Sequence, residues 1–349
     1  MKMKSVYCYM LAGLMLSASS CSSWLSEDDA PVMSYDYYET EAGVNAAITA
    51  AYGFLRWGVG GERFDVLTEL GTDLFTEGED GSNRESYNKY ATQLNPDDGI
   101  LYEMWENHYK GISDANIAMQ KIRDSQDLLE SVKIQSYAEM QFIRAYLYFD
   151  LVQQFGRIPL VTEGSFEIRT DFKRAPIADV YNVIISDLRN AAENLPEKAS
   201  VLGRATRYSA AHLLAKVYLT RGSAVKDARG QKATDMDSTL YYAEQVINSG
   251  AYALQENFSS LWDIKNQGNS EAVFAVQFTT EPMFNGDGNK QHLYWLSWYE
   301  DQPGMLRDIE NGRPYRRHVA TKKTMDDLFD RLHNSRFIRV SNGSTMQIM

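Results

Sequence analysis

The 349-residue chain has only two cysteines, Cys8 and Cys21. Cys8 lies inside an apolar leader, and removal of that leader would leave Cys21 alone. A mature protein with a single cysteine cannot form an internal disulfide, even where its compartment would permit one. The fold must therefore be stabilised by a hydrophobic core rather than by covalent cross-links.

Positive charge is also scarce. The chain has 35 Lys and Arg against 47 Asp and Glu, which gives a formal net charge of −12. Loss of residues 1–20 would remove two lysines and leave 33 basic against 47 acidic residues, a net charge of −14. An acidic surface argues against nucleic acid as a partner and against direct adhesion to anionic lipid.

Known catalytic and metal-binding motifs are missing from the sequence. It has no Gly-rich phosphate loop followed by Lys-Ser/Thr, no His-Glu-x-x-His and no Gly-x-Ser-x-Gly. The segment NGDGNK resembles the start of a calcium loop, but Lys290 replaces the turn glycine and Leu296 replaces the bidentate glutamate. We therefore expect a protein that is not an enzyme and that holds no metal and no cofactor.

The longest apolar run near the N-terminus, residues 6–16, is about 11 residues long. A helix that crosses a bilayer needs roughly 20. Lys2 and Lys4 precede this run, and small residues follow it up to Ser20. A basic tip, a short apolar stretch and small residues are typical of a secretory signal peptide, which we assign to residues 1–20.

Cys21 follows the small residues directly, where a bacterial lipoprotein signal places the cysteine that becomes acylated. Ala18 stands where the usual pattern has leucine. We predict lipidation at Cys21, with the polar and acidic residues 21–38 as a flexible tether. The alternative is a plain secreted protein in which Cys21 is incidental.

Helical periodicity dominates residues 39–255, which we assign to one helical-repeat domain. Thr40 is a good N-cap for a first helix that would stop near Gly58. Further helices are predicted around Trp105 and in YAEMQFIRAYLYFDLVQQFG, DVYNVIISDLRNAAENLP, RYSAAHLLAKVYLTRG and DSTLYYAEQVINSGAY. Ala211 and Ala243 lie about one 34-residue repeat apart, as in tetratricopeptide-type helix pairs. The predicted fold is mainly α, a tetratricopeptide-like α–α superhelix with long loops and minor β structure.

Two long segments lack this periodicity. One covers residues 60–99, and the other is TTEPMFNGDGNKQHLYWLSWYEDQPG, which follows a predicted strand, EAVFAVQF. A helix is predicted again in TKKTMDDLFDRL. Long loops inside a compact domain are usually functional, so these two segments are the candidate sites.

The segment FIRAYLYFDLVQQFGRIPLV strongly resembles a hallmark of the SusD/RagB family of outer-membrane lipoproteins, in which an Arg-Ala-rich helix runs into Phe-Gly-x-x-Pro-Leu. Other stretches agree with the family in order, and DLFDRLHNSRF resembles a later family element with Asn334 in place of aspartate. The stretches that agree are AAITAAYGFLR, ELGTD, WENHYKGISDANIAMQKI, DVYNVIISDLRNAAENLP, GRATRYSAAHLLAKVYL, VINSGAYAL and EAVFAVQF.

The resemblance implies a helical, non-enzymatic protein on the surface of the outer membrane, held there by a lipid anchor. Such proteins capture glycans, or in some members peptides, and act as a lid on a TonB-dependent transporter of the SusC type. Family members typically continue well beyond the point where this chain stops. We therefore expect residues 256–349 to be the beginning of the family's C-terminal region, in a truncated or frame-shifted product.

Aromatic and amide side chains in the two long segments form the candidate carbohydrate-binding set. A sugar ring has an apolar C–H face and a rim of hydroxyls, which suits a flat aromatic ring beside amide, Arg and carboxylate groups. The candidates are Asn83, Arg84, Tyr87, Tyr90 and Asn95 in the first segment and Tyr294, Trp295 and Trp298 in the second. Trp298 ranks first because its surroundings are the most polar. The alternative is that Trp295 or Trp298 packs its loop onto the helices, while Trp105, Tyr109, Phe142 and Phe149 are interpreted as core.

Three functions remain open from the sequence. The first is a glycan-binding surface lipoprotein, and the second is a helical-repeat adaptor, or a peptide-binding member of the same family, that binds no glycan. The third is a hydrolase that uses carboxylates. Retention on a glycan gel separates the first from the second, and a product assay separates the first from the third.

Overall fold

A computed structural model of the chain describes residues 40–78, 84–90, 94–165, 169–225, 228–279, 281, 288–295, 298–299, 302–305 and 313–327. The leader, Cys21, the tether, Asn83 and Asn334 lie outside these residues. The helices are α1 (Glu41–Gly53), α2 (Arg56–Gly60), α3 (Glu62–Thr68), α4 (Glu85–Lys89), α5 (Gly99–Asp124), α6 (Glu130–Phe155), α7 (Ile177–Asn194), α8 (Arg207–Gly222), α9 (Asp235–Asn248) and α10 (Gln291–Trp295). Within the described part of the chain, two strands, β1 (Phe75–Glu77) and β2 (His318–Ala320), pair antiparallel. The predicted mainly α fold with minor β structure is confirmed.

The first helix begins where the sequence predicts but ends earlier. The Thr40 hydroxyl accepts a hydrogen bond from the backbone N–H of Gly43 at 3.1 Å, as an N-cap should. The predicted stop at Gly58 is wrong, because α1 ends at Gly53 and residues 56–60 form the separate helix α2. This break turns the chain toward the first long segment.

The core lies between consecutive long helices, each of which packs against the next from α5 to α9. α6 is in the middle, with α5 on one side and α7 on the other, so its side chains are buried around most of its circumference. Phe142 and Phe149 are 1% and 2% exposed, which confirms their interpretation as core. Burial of a side chain of this size stabilises the fold by roughly 1.5–3 kcal/mol.

α6 ends at Gly156, as predicted. Its φ of +68° lies in the left-handed half of backbone space, which glycine adopts without the strain that a Cβ would cause. The chain then returns along the helix, where the Tyr148 hydroxyl donates to the Val161 carbonyl at 2.8 Å. The Phe-Gly-x-x-Pro-Leu signature is therefore a helix stop followed by a segment that is tied back to α6.

The predicted strand EAVFAVQF is wrong, since residues 271–279 belong to no strand in the structure. Phe274 packs edge-on against Phe142, with ring centroids 5.1 Å apart. The carbonyls of Val273 and Gln277 accept hydrogen bonds from side chains, Ser209 Oγ at 3.1 Å and Arg56 Nε at 3.0 Å. The alternation of the sequence reflects one face of an extended segment that packs on helices.

The first long segment is also more ordered than predicted, because it contains α3, β1 and α4. In the second, α10 covers residues 291–295, and residues 322–327 begin the helix predicted in TKKTMDDLFDRL. Among the described residues, no helix is both long enough and apolar enough to cross a membrane.

Candidate functional site

A cavity of about 720 Å³ opens between the two long segments, and we call it the loop cleft. Both segments contribute to its wall, as the sequence predicts for a binding site made of loops. The lining residues are Gly53, Arg56, Trp57, Gly60, Gly61, Glu62, Arg63, Arg84, Glu103, Phe278, Gly288, Lys290, Tyr294 and Arg317. Two of the sequence-predicted site residues, Arg84 and Tyr294, therefore meet in one cavity.

A buried carboxylate organises the base of the loop cleft. Glu62, at the start of α3, is 5% exposed. Arg84 donates to it from Nε at 3.2 Å and from Nη2 at 3.4 Å. Arg317, which precedes β2, donates to the same carboxylate from Nη1. One carboxylate thus fixes the side chains of two arginines that come from distant parts of the chain.

Tyr294 is held in the wall of the cleft by its aromatic and cationic neighbours. The Arg317 guanidinium carbon lies 5.3 Å from the centre of the Tyr294 ring and 4.6 Å from that of Tyr315. Cations at this distance from a ring are attracted to its face. The half-buried Tyr294 therefore has a defined position, as a ring that contacts a ligand should.

Trp295 does not line the cleft, and it packs α10 onto the rest of the protein. Its indole N–H donates to Gln291 Oε1 at 2.9 Å and approaches Asp65 Oδ2 at 3.3 Å. Its ring meets Phe75 edge-on at 4.7 Å and lies 4.9 Å from the ring of His318. This is the packing role that the sequence left open as the alternative for Trp295.

The polar groups around Trp295 titrate away from their ordinary values. Burial raises the pKa of Asp65 from 3.8 to about 6, although hydrogen bonds from Gln291 and Trp295 oppose the rise. Burial lowers the pKa of His318 to about 4, so this imidazole is neutral at pH 7. Both shifts have the same first cause, the burial of these groups beside Trp295.

Tyr87, Tyr90 and Asn95, the other described candidates of the first segment, do not line the cleft. Tyr87 is only 6% exposed and lies in a small apolar cluster with Val66, Leu70 and Ile100, so its ring faces are covered. Tyr90 is 70% exposed, and the side chain of Asn95 accepts a hydrogen bond from the Asp97 backbone.

Trp298, ranked first from the sequence, is half-buried and does not line the loop cleft. Asn83 lies outside the described residues.

Sequence reasoning missed two aromatic residues of the cleft, Trp57 and Phe278. Trp57 belongs to the short helix α2, and Phe278 ends the segment that was predicted as a strand. The Arg56 guanidinium carbon lies 5.6 Å from the centre of the Phe278 ring. A signal was present in the glycines after Trp57, because a Cβ at Gly60 would collide with the Phe278 ring.

A second cavity, of about 510 Å³, lies against α5. Trp105 and Tyr109 line it together with Phe172 and Arg169. The interpretation of Trp105 and Tyr109 as core is therefore incomplete, because both rings pack on the core but remain half-buried at this opening. No described residue of either long segment contributes to it.

The donor chemistry of the described residues offers no metal centre, since no three His, Cys, Asp or Glu side chains among them form a suitable group. What the loop cleft does present is aromatic rings beside fixed guanidinium and carboxylate groups. Such a surface can bind a ligand by stacking and hydrogen bonds.

Comparisons with known proteins point to one family. A SusD-like family model, described as "Starch-binding associating with outer membrane", matches residues 32–219, which is more than half of the chain. A SusD-like protein from Formosa agariphila is 27% identical over 341 residues, which cover 89% of this chain and 63% of that protein. The starch-binding protein SusD of Bacteroides thetaiotaomicron is 27% identical over 176 residues, which cover 50% of this chain and 29% of that protein.

Solved structures agree. A laminarin-binding SusD-like protein matches with a TM-score of 0.62 and 27% identity, over 73% of this chain and 56% of its own. A SusD homologue from Bacteroides thetaiotaomicron matches with a TM-score of 0.70 over 86% of this chain and 58% of its own, and at 19% identity it supports the fold alone. The chain spans 63% and 53% of the length of two Formosa agariphila relatives. On the family match, the chain belongs to the SusD-like family, whose model carries the description quoted above.

Proposed function

We propose that the loop cleft binds a glycan and that the protein captures this glycan at the cell surface for uptake. The observation that carries the proposal is that the two long segments meet in a cavity of about 720 Å³ that combines aromatic rings with fixed polar groups. The C–H face of a sugar packs on an aromatic ring, while its hydroxyls need donors and acceptors around that ring. The cleft offers both.

Tyr294 is the ring that we assign to sugar stacking, with Trp57 and Phe278 as further apolar surface. Arg84 is assigned to the sugar hydroxyls. Glu62 fixes its guanidinium by accepting hydrogen bonds from Nε and Nη2. Among the described residues, none accepts a hydrogen bond from Nη1, so this nitrogen can donate to a ligand.

The remaining candidates are assigned to the surroundings of the cleft. Trp298, Tyr90, Asn95 and Asn83 are proposed as outer contacts for a longer glycan. Trp295 and Tyr87 are proposed to support the two segments from beneath, as their packing suggests.

Ligands of related proteins support a glycan rather than another ligand. One structural neighbour is a laminarin-binding SusD-like protein, and another was crystallised with a xylogluco-oligosaccharide. We therefore propose that this chain binds carbohydrate without cleaving it.

The family resemblance supports a proposal for the location of the protein and for its partner. We propose that acylated Cys21 anchors the protein on the surface of the outer membrane, with residues 21–38 as a tether. Acyl chains act through burial of their methylenes, which an acidic protein surface does not prevent. In this arrangement the glycan would pass to a TonB-dependent transporter of the SusC type.

Affinity electrophoresis through gels that contain single polysaccharides tests the proposal. The parent protein should be retarded by at least one polysaccharide, and Tyr294→Ala should bind it about two- to tenfold more weakly, as expected for one aromatic contact. Tyr241→Ala is the matched control, because Tyr241 is 57% exposed on α9 and lines none of the described cavities.

The same gels separate the other functions. A protein adaptor would migrate unretarded through every polysaccharide, and a hydrolase would release reducing ends from the polysaccharide that it binds. Equal retardation of Tyr294→Ala and the parent protein would contradict the placement of the glycan in the loop cleft.

A further inference from the structure

The loop cleft is a positively charged surface in an acidic protein. Among its described lining residues, five side chains are cationic, whereas only Glu62 and Glu103 are carboxylates. The described lining residues therefore carry an excess of three positive charges, while the whole chain has a formal charge of −12. The cationic residues are Arg56, Arg63, Arg84, Lys290 and Arg317.

Both carboxylates of the cleft are already counted in this excess, and each is paired with a lining arginine. Glu62 is 5% exposed and binds both Arg84 and Arg317. Glu103 pairs with Arg63 across the cleft wall. Two guanidinium groups that share one buried carboxylate retain a net positive charge.

Arg317 also has a nitrogen that lacks a hydrogen-bond acceptor among the described residues. This nitrogen, Nε, is buried. A buried donor without a partner costs free energy. The guanidinium lies against Tyr294, so the charge and the proposed stacking ring are next to each other.

The cavity beside the loop cleft, about 380 Å³ in volume, adds no negative charge. It shares Gly53 and Arg56 with the cleft, and Arg204 also lines it. None of its described lining residues is Asp or Glu, although the buried Glu139 behind it pairs with Arg204 at 3.0 Å. A glycan that extends from the cleft into this cavity would therefore meet no carboxylate there.

We propose that the glycan bound in the loop cleft is anionic and carries carboxylate or sulfate groups on its sugars. The proposal rests on the function proposed above and names the chemical class of the ligand. Guanidinium groups match the geometry of such anions, and a cleft with low-dielectric walls concentrates the field of its charges. A neutral glycan would use the stacking surface but would form no ion pair with the cationic side chains of the cleft.

Paired polysaccharides test this inference, because the members of each pair share a backbone and differ in charge. Polygalacturonate and its carboxyl-reduced form test carboxylates, and a sulfated galactan and its desulfated form test sulfates. The parent protein should bind the charged member of at least one pair tenfold or more tightly than its neutral counterpart at low salt. Added NaCl should weaken that binding, because salt screens exposed charges.

Lys290→Gln removes one positive charge from the cleft while retaining a polar side chain. The expected loss of affinity for the charged polysaccharide is about fivefold, the size of one charge pair in a solvated site. Lys216→Gln, on the exposed side of α8, is the control and should leave this affinity unchanged.

Each outcome decides the inference. Equal or tighter binding of the neutral members, or retention on laminarin or xyloglucan without retention on any charged polymer, would overturn the anionic ligand and leave the glycan-binding proposal intact. Failure to bind any of these polysaccharides, neutral or charged, would overturn both.

Discussion

Arg144 and Asp187 form a bidentate ion pair between α6 and α7. Arg144 Nε lies 2.8 Å from Asp187 Oδ2, and Nη2 lies 2.8 Å from Oδ1. The third nitrogen of the guanidinium, Nη1, donates to Asn116 on α5 at 2.7 Å and to the Thr162 carbonyl at 3.0 Å. Arg144 is the arginine of the FIRAYLYF segment, so the family hallmark joins three helices and the returning chain through one side chain.

Replacement of Arg144 should destabilise the fold strongly. Both side chains of the pair are more than nine-tenths buried, so Arg144→Met would leave the Asp187 charge without compensation. The expected loss in the free energy of unfolding is about 3–5 kcal/mol, measured by urea denaturation.

Arg123→Met is the matched control. Arg123 is 62% exposed and pairs with its neighbour Asp124, so its loss should cost less than about 1 kcal/mol. Similar costs for the two variants would contradict a structural role for the Arg144 pair.

Much of this framework could be predicted from the sequence, because helix periodicity is a local property. Phe142 and Phe149 fall on one predicted apolar face, and Gly156 ends the helix as its position suggests. β2 could not be predicted, because its partner β1 lies in the other half of the chain and three residues carry no pattern of their own. The strand prediction for residues 271–278 failed because alternation also describes an extended segment packed on helices.

Only the outline of the site could be predicted, because its contacts join residues that are far apart in the sequence. The two long segments were identified by composition, but their side-chain contacts depend on the tertiary fold. Arg84 reaches the cleft because Glu62 holds it there, and nothing near Arg84 in the sequence indicates that pairing. Tyr87 has the same polar neighbours in sequence, yet it turns into an apolar cluster.

Tyr87 and Tyr90 should differ in how much stability their truncation costs. Tyr87→Ala removes a ring that is 6% exposed and should cost about 3–5 kcal/mol of stability, as for other buried aromatics. Tyr90→Ala, at a ring that is 70% exposed, should cost about 0.5 kcal/mol or less. Urea denaturation of both variants measures the difference, and equal costs would show that Tyr87 does not support the segment.

Trp298→Ala should weaken retention on a glycan gel and leave the helical circular dichroism unchanged, since Trp298 is proposed as an outer contact for the ligand. The variant should be compared with Trp295→Ala, which is expected to lose stability because Trp295 contacts Phe75, Asp65 and His318. Unaltered retention of Trp298→Ala on a gel that binds the parent protein would remove Trp298 from the proposed site.

The raised pKa of Asp65 predicts a pH-dependent gain in stability for Asp65→Asn. The folded protein holds the proton of Asp65 up to about pH 6, whereas the unfolded chain releases it near 3.8. The stability contributed by protonated Asp65 is complete below pH 3.8 and is lost as the pH rises through 6. Asparagine avoids this loss because it does not ionise.

The difference between Asp65→Asn and the parent protein should therefore be small near pH 4 and reach at most about 3 kcal/mol above pH 7, at 1.36 kcal/mol for each pKa unit. Urea denaturation at several pH values between 4 and 8 measures it. A difference that stays constant over this range would mean that Asp65 titrates normally.

Cys21→Ala tests the proposed anchor. If Cys21 is the acylated residue, the variant should remain unprocessed or move to the soluble fraction, because the described helices provide no membrane span. Membrane fractionation with radiolabelled palmitate measures both effects, and Cys8→Ala is the control within the leader. Normal processing and membrane association of Cys21→Ala would rule out the lipid anchor.

The most direct test of the central claim is a crystal structure of the protein with an oligosaccharide that it retains on the gel. We expect density for the sugar in the loop cleft, with one ring stacked on Tyr294 and polar contacts to Arg84. Sugar density in the cavity beside Trp105 and Phe172, with an empty loop cleft, would contradict the account.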